Sequence, residues 1–115
     1  MCVVIMMVDR LSLYHRRYGH DAGDRILRFF VDFLRHAFQD GSMFRWTGPS
    51  VLLLREGPPD KVQREVRRIL EPRIEFDFET PSRTILLAID ACWCVLPMMV
   101  DPRLLINKID AFVTM

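Results

Sequence analysis

"YGHDAGDRILRFFVDFLRHAFQDGSMFRWTGPSVLLLR", residues 18–55, is the stretch on which the fold turns. Its middle has helical spacing. Ile26, Phe30, Phe33, Leu34 and Ala37 fall on one face, while Arg25, Arg28, Asp32 and Arg35 fall on another. Asp21 is the expected N-cap and Asp24 is favourably placed in the first turn. "FQDGS" then brings a glycine, the usual stop. Two short apolar runs follow, "MFRW" and "SVLLL", and Thr47-Gly48-Pro49-Ser50 joins them as a hairpin. That tip contains no carboxylate, histidine or lysine.

Outward from this stretch, "CVVIMMV" at residues 2–8 is a continuous apolar run, expected of a central strand covered on both faces. "DRLSLYHRRYGHDAG" breaks the pattern and predicts a short irregular helix or turn. Beyond the hairpin, "EGPPDKVQREVRRILEP" predicts a second helix. Pro59 lies in its first turn, and Val62, Val66, Ile69 and Leu70 form its buried stripe. "IEFDF" alternates as a half-exposed edge strand should. "RTILLAIDACWCVL" predicts one long strand, bulged or bent because most strands are far shorter. A last helix is expected in "VDPRLLINKIDAFV", with Asp101 as N-cap and an apolar face of Leu105, Ile109, Phe112 and Val113. Strand-helix-strand-strand-helix-strand predicts an α+β, ferredoxin-like domain with a mostly antiparallel central sheet flanked by helices.

The chain has 115 residues, enough for one domain with one hydrophobic core. Half the residues are apolar (50%) and 27% are charged, a globular balance. The formal net charge of +1 supplies no field to steer the domain to nucleic acid or an anionic membrane. An RNA-binding sheet would show aromatics beside basic residues, and "CVVIMMV" has neither. No apolar run suits a bilayer span: the first is too short, and the longer "TILLAIDACWCVLPMMV" carries Asp90 and Pro97. Cys2, Cys92 and Cys94 are read as buried, reduced thiols of a cytoplasmic protein. Cys92 and Cys94 share one strand face, with no further Cys or His nearby to complete a metal site.

"YGHDAGDRIL" at residues 18–27, followed one helix later by "FRWTGPSVLLL", resembles the GGDEF domain of diguanylate cyclases. That family has a "FGHDxGDxxL" segment at the start of its long helix. An arginine, one residue and the Gly-Gly-Asp/Glu-Glu-Phe hairpin come later. The spacing matches without gaps, with Arg45 in the place of the arginine and Thr47, Gly48, Pro49, Ser50 and Val51 in the place of the signature. The resemblance implies a nucleotide-cyclase palm and a chemistry in which two GTP molecules become cyclic di-GMP. A 3′-hydroxyl attacks an α-phosphate, a step that needs Mg²⁺ and hard oxygen ligands.

The same resemblance implies that the chemistry is missing here. The family's two metal carboxylates fall at Met7 and Pro49, so no metal site and no cofactor is expected. The catalytic glutamate falls at Ser50 and the first signature glycine at Thr47. The guanine-recognising asparagine falls at His15, while its partner carboxylate persists as Asp24. A family lysine falls at Ser12, and the "RxxD" product-inhibition motif would need Phe38 and Gly41 to be arginine and aspartate. Asp9 matches a second strand-end acid, but one carboxylate makes no metal site. The chain ends at Met115, before the phosphate-binding lysine and arginine that follow the family's last helix.

Residues 1–115 are therefore expected to be a single degenerate GGDEF-like domain, excised from a larger multidomain signalling protein. The expected role is a regulatory or protein-interaction module of bacterial signalling, with no catalytic residue. Its expected partner is another protein, a neighbouring domain of the same chain or a second copy in a homodimer. The alternative is a non-catalytic sensor of GTP or cyclic di-GMP, resting on Asp24, His15, Gly48 and the basic "HRR" at residues 15–17.

Overall fold

The computed structural model describes residues 1–98 and 101–114. The elements run β1 (Cys2–Val8), α1 (Leu11–Tyr18), α2 (His20–Ala37), β2 (Ser42–Arg45), β3 (Val51–Arg55), α3 (Pro59–Leu70), β4 (Ile74–Glu79), β5 (Thr84–Ile89), β6 (Ala91–Pro97) and α4 (Pro102–Val113). Four strands form a sheet in the order β2-β3-β1-β6, antiparallel at every pairing, and β4 and β5 form a separate antiparallel pair. This is the expected α+β fold with a ferredoxin-like sheet.

The period-two alternation of β1 divides the core. Cys2, Val4, Met6 and Val8 pack with Ile26, Phe30 and Leu34 of α2 and with Val62, Val66 and Leu70 of α3. Val3 and Ile5 face the other way, against Leu105 and Ile109 of α4. The helical phase read for α2 holds: Ile26, Phe30 and Leu34 are buried, Phe33 and Ala37 pack partly buried against them, and Arg25, Arg28, Asp32 and Arg35 are exposed. Full burial of side chains this size is worth about 1.5–3 kcal/mol each, which fixes the face of α2 more firmly than any cap. In α4, Asp101 is the N-cap as expected, its carboxylate accepting from the Arg103 amide at 2.9 Å.

The structure refines or corrects several local readings. Of the two forms expected for residues 11–18, a short helix or a turn, the helix is found, and it is regular. The long helix starts at His20 with Gly19 at its cap, so Asp21 lies in the first turn and caps nothing. Both hairpin strands are expected beside β1 in the middle of the sheet, but β2 is at its edge and only β3 and β1 are central. The run from Thr84 to Pro97 is two strands in two different sheets, parting at Asp90, because β6 continues along β1 while β5 turns to pair with β4. β4 is an edge strand as expected, but of the separate β4–β5 pair rather than of the central sheet. Cys2 is buried, but Cys92 and Cys94 are half-buried, since β6 is an edge strand. Met99 and Val100, the end of the long apolar run, lie outside the described residues, as does Met115.

The α1–α2 corner explains the first motif. Gly19 has φ +91°, a conformation that side-chain-bearing residues rarely adopt, and it lets the chain leave α1 and enter α2 at once. Gly23, one turn further on, is where α1 comes closest: a β-carbon there would overlap the His15 ring. The motif is therefore the hinge of two packed helices.

Candidate functional site

The hairpin tip spans Trp46 to Ser50. The Trp46 amide donates to the Ser50 carbonyl at 2.9 Å, and the Ser50 amide donates to the Thr47 carbonyl at 3.4 Å. The Ser50 hydroxyl donates to the same Thr47 carbonyl. Ser50 is 0% exposed, so its hydroxyl is used to close the turn and faces no solvent. Gly48 has φ +59° at the outermost point, and the Arg45 guanidinium donates to its carbonyl at 3.3 Å. Thr47 and Gly48 are exposed, Pro49 is half-buried, and Val51 is buried as the first residue of β3. The Trp46 indole N–H donates to Asp110 of α4 at 3.1 Å, which ties the tip to the last helix. Sequence reading missed this link, because nothing local relates residues 64 positions apart.

Met7 is near the end of β1, directly opposite Cys92 in the ladder. Asp9 follows β1, its amide donating to the Asp90 carbonyl at 2.8 Å. Burial pushes the Cys92 thiol above its ordinary range, and the nearby Asp9 carboxylate, by charge and by hydrogen bond, pushes it further. Cys94 is raised by burial against the opposing pull of Lys108. A raised thiol is a poor nucleophile and a poor metal ligand near neutrality. Among the described residues, no three His, Cys, Asp or Glu side chains gather as they would around a metal ion.

Asp24 opens onto a groove of about 330 Å³ between α2 and the base of the hairpin, with Arg28, Asp32, Arg35 and Arg45 around it. The structure thus brings together Asp24 and Arg45, two residues singled out by the sequence. His15 is not part of this groove. It lies over Gly23, its ring 5.1 Å from that of His20, and so occupies the α1–α2 contact. Gly48 sits at the tip and is likewise not part of the groove. Arg16 and Arg17 of the "HRR" run are exposed, and Arg17 lies 5.6 Å over the Tyr18 ring.

The family described as "Diguanylate cyclase, GGDEF domain" matches residues 1–113. No curated protein matches the sequence. Among solved structures, the chain is similar to the active GGEEF domain of a diguanylate cyclase from Vibrio cholerae, at 20% identity and a TM-score of 0.65, covering 82% of this chain and 59% of that one. It is also similar to the diguanylate cyclase SiaD of Pseudomonas aeruginosa, solved in complex with its activator SiaC, at 20% identity and a TM-score of 0.72, covering 98% of this chain and 44% of that one. A third is the GGDEF domain of DgcB from Caulobacter crescentus, solved in complex with c-di-GMP, at 13% identity and a TM-score of 0.73, covering 98% of this chain and 70% of that one. The chain spans less than two thirds of the first two. At such identities these likenesses carry the fold. No helix among the described residues is long and apolar enough to cross a membrane.

Proposed function

The chain belongs to the GGDEF family of diguanylate cyclase domains, and from that premise we propose that it is a catalytically inactive member. It acts as a regulatory or protein-interaction module in cytoplasmic cyclic di-GMP signalling. The observation that carries this reading is the state of the tip. Ser50, in the place of the catalytic glutamate, is fully buried with its hydroxyl donated to Thr47, so a group there neither faces a substrate nor collects its proton. Donor chemistry supports the same view. Magnesium takes hard oxygen ligands, and the two ligand positions hold the Met7 thioether and Pro49, which has no side-chain donor. Those residues do not fit the metal.

A domain that keeps its core and helix corner while its reactive positions have changed retains what a partner needs, a stable surface. The partner is a neighbouring domain of a longer chain, another protein or a second copy. The SiaD structure, a diguanylate cyclase in complex with its activator, is a precedent for a protein partner of such a cyclase. The groove of Asp24, Arg28 and Arg45 favours a second reading, in which the domain senses GTP or cyclic di-GMP without turnover.

The test is prolonged incubation of concentrated protein with GTP and Mg²⁺ or Mn²⁺, with chromatographic detection of product. No cyclic di-GMP is expected, from the protein as it stands or from Ser50→Glu. Turnover by the unaltered chain that is lost in Asp24→Ala would overturn the inactive reading.

A further inference from the structure

A cavity of about 460 Å³ is lined by no hairpin residue. It is an open cavity lined by α1 and β5 together with residues that follow β1 and precede β4. Its volume is within the range of about 300–1,000 Å³ usual for small-molecule sites. Three guanidiniums reach it from separate places in the chain: Arg10 at the start of α1, Arg17 near its end, and Arg73 ahead of β4. Two carboxylates, Asp9 and Asp90, also line it, so three positive charges against two negative leave one in excess.

The pairing of these charges is loose. Arg73 approaches Asp90 through Nε at 3.3 Å, and Arg10 approaches Asp9 through Nε at 4.0 Å. Both contacts use the inner nitrogen, which leaves the terminal Nη groups for another acceptor. Arg17 lies over the Tyr18 ring and is in no ion pair among the described residues. Arg10 is held at φ +58°, the one non-glycine residue with positive φ among those described, at a cost on the order of 1–3 kcal/mol. The apolar part of the wall is Tyr14, Tyr18 and Leu87, and the Tyr14 hydroxyl is already given to the Ala88 carbonyl at 3.3 Å.

We infer that this cavity is a binding site for a small organic phosphate, with the phosphoryl group among Arg10, Arg17 and Arg73 and a flat apolar body against Tyr14, Tyr18 and Leu87. The planar guanidinium fork matches phosphate oxygens two at a time, and three such forks outnumber the two carboxylates and suit the three terminal oxygens of a phosphate monoester. Tyrosine rings accept a flat group without needing their hydroxyls. The site does not rest on the inactive reading of the hairpin and shares no residue with the Asp24 groove.

Phenyl phosphate is the probe, followed by amide chemical shifts of the full chain. Saturable shifts confined to α1, Arg73 and β5 are expected, with none from phenol at the same concentration. Arg17→Gln and Arg73→Gln, both in exposed positions, should each weaken binding about tenfold, as loss of a charge-assisted hydrogen bond does. Arg64→Gln on α3 serves as the charge control and should leave binding unchanged. Shifts centred on α2 and the hairpin, equal weakening by all three variants, or no saturable shift at tens of millimolar would each overturn the site.

Discussion

A β-carbon at Gly23 would collide with the Cδ2–Nε2 edge of the His15 ring, on a different helix. Glycine in a helix interior costs about 0.5–1 kcal/mol relative to alanine, so its presence here reflects the space His15 takes. Gly23→Ala is expected to destabilise the protein by about 1–3 kcal/mol, the usual cost of overpacking. In a His15→Ala background the same change should stabilise by about 0.5–1 kcal/mol, because only the helix preference remains. Urea melts of the four proteins close the cycle, and a Gly23→Ala cost that persists without His15 would refute the contact. The sequence marked both residues, but gave them other roles: His15 as the replacement of a guanine-binding asparagine and Gly23 as part of a helix entry. Their meeting depends on the angle between α1 and α2, which no local spacing encodes.

At the scale of elements, the hairpin and the last helix are joined by one side-chain bond, Trp46 to Asp110. Trp46 also packs beside the Leu105–Ile109 cluster, so its ring is held on two sides. Asp110→Asn keeps an oxygen acceptor and should cost little. Asp110→Ala removes it and should cost about 0.5–1.5 kcal/mol, the net worth of such a bond. The loss should be absent when Trp46 is already phenylalanine, which a double-mutant cycle by thermal melting reads directly. The β4–β5 pair shows the same dependence on neighbours. A two-stranded sheet is marginal alone, and this one is anchored by Phe76 stacked on Phe29 of α2, ring centroids 4.1 Å apart, and by Arg25 over the Phe78 ring at 4.4 Å. Those aromatics were visible in "IEFDF" as an alternating pattern, whereas its pairing with β5 apart from the central sheet was not, because alternation states that one face is buried and not against what.

Across the whole molecule, Tyr14, Cys92 and Cys94 are all shifted the same way. Tyr14 is raised by burial first and then by Asp90, and Cys92 and Cys94 are raised mainly by burial. Each group holds its proton more tightly folded than unfolded, so its stabilising contribution is complete below the unfolded value and is lost as pH rises through the folded one. Stability should therefore fall progressively above pH 9.0 for the thiols and above 10.0 for the tyrosine. Urea melts from pH 8 to 11 check this, and Tyr14→Phe should flatten the upper part of the decline. An unchanged slope in Tyr14→Phe would count against the tyrosine. Amino-acid order by itself determined the antiparallel sheet of β1, β2 and β3, the buried faces of α2, α3 and α4, the Asp101 cap, and the identity of every residue at the hairpin tip. These follow from periodicity and from chemistry carried by single residues. Only the tertiary structure decided that one apolar run serves two sheets, that Gly19 and Gly23 form a helix corner, that Ser50 faces inward, and that Arg10, Arg17 and Arg73 share a cavity. Each of these depends on which distant segments pack together, and packing is settled by the shape and burial of the whole core rather than by any window of the chain.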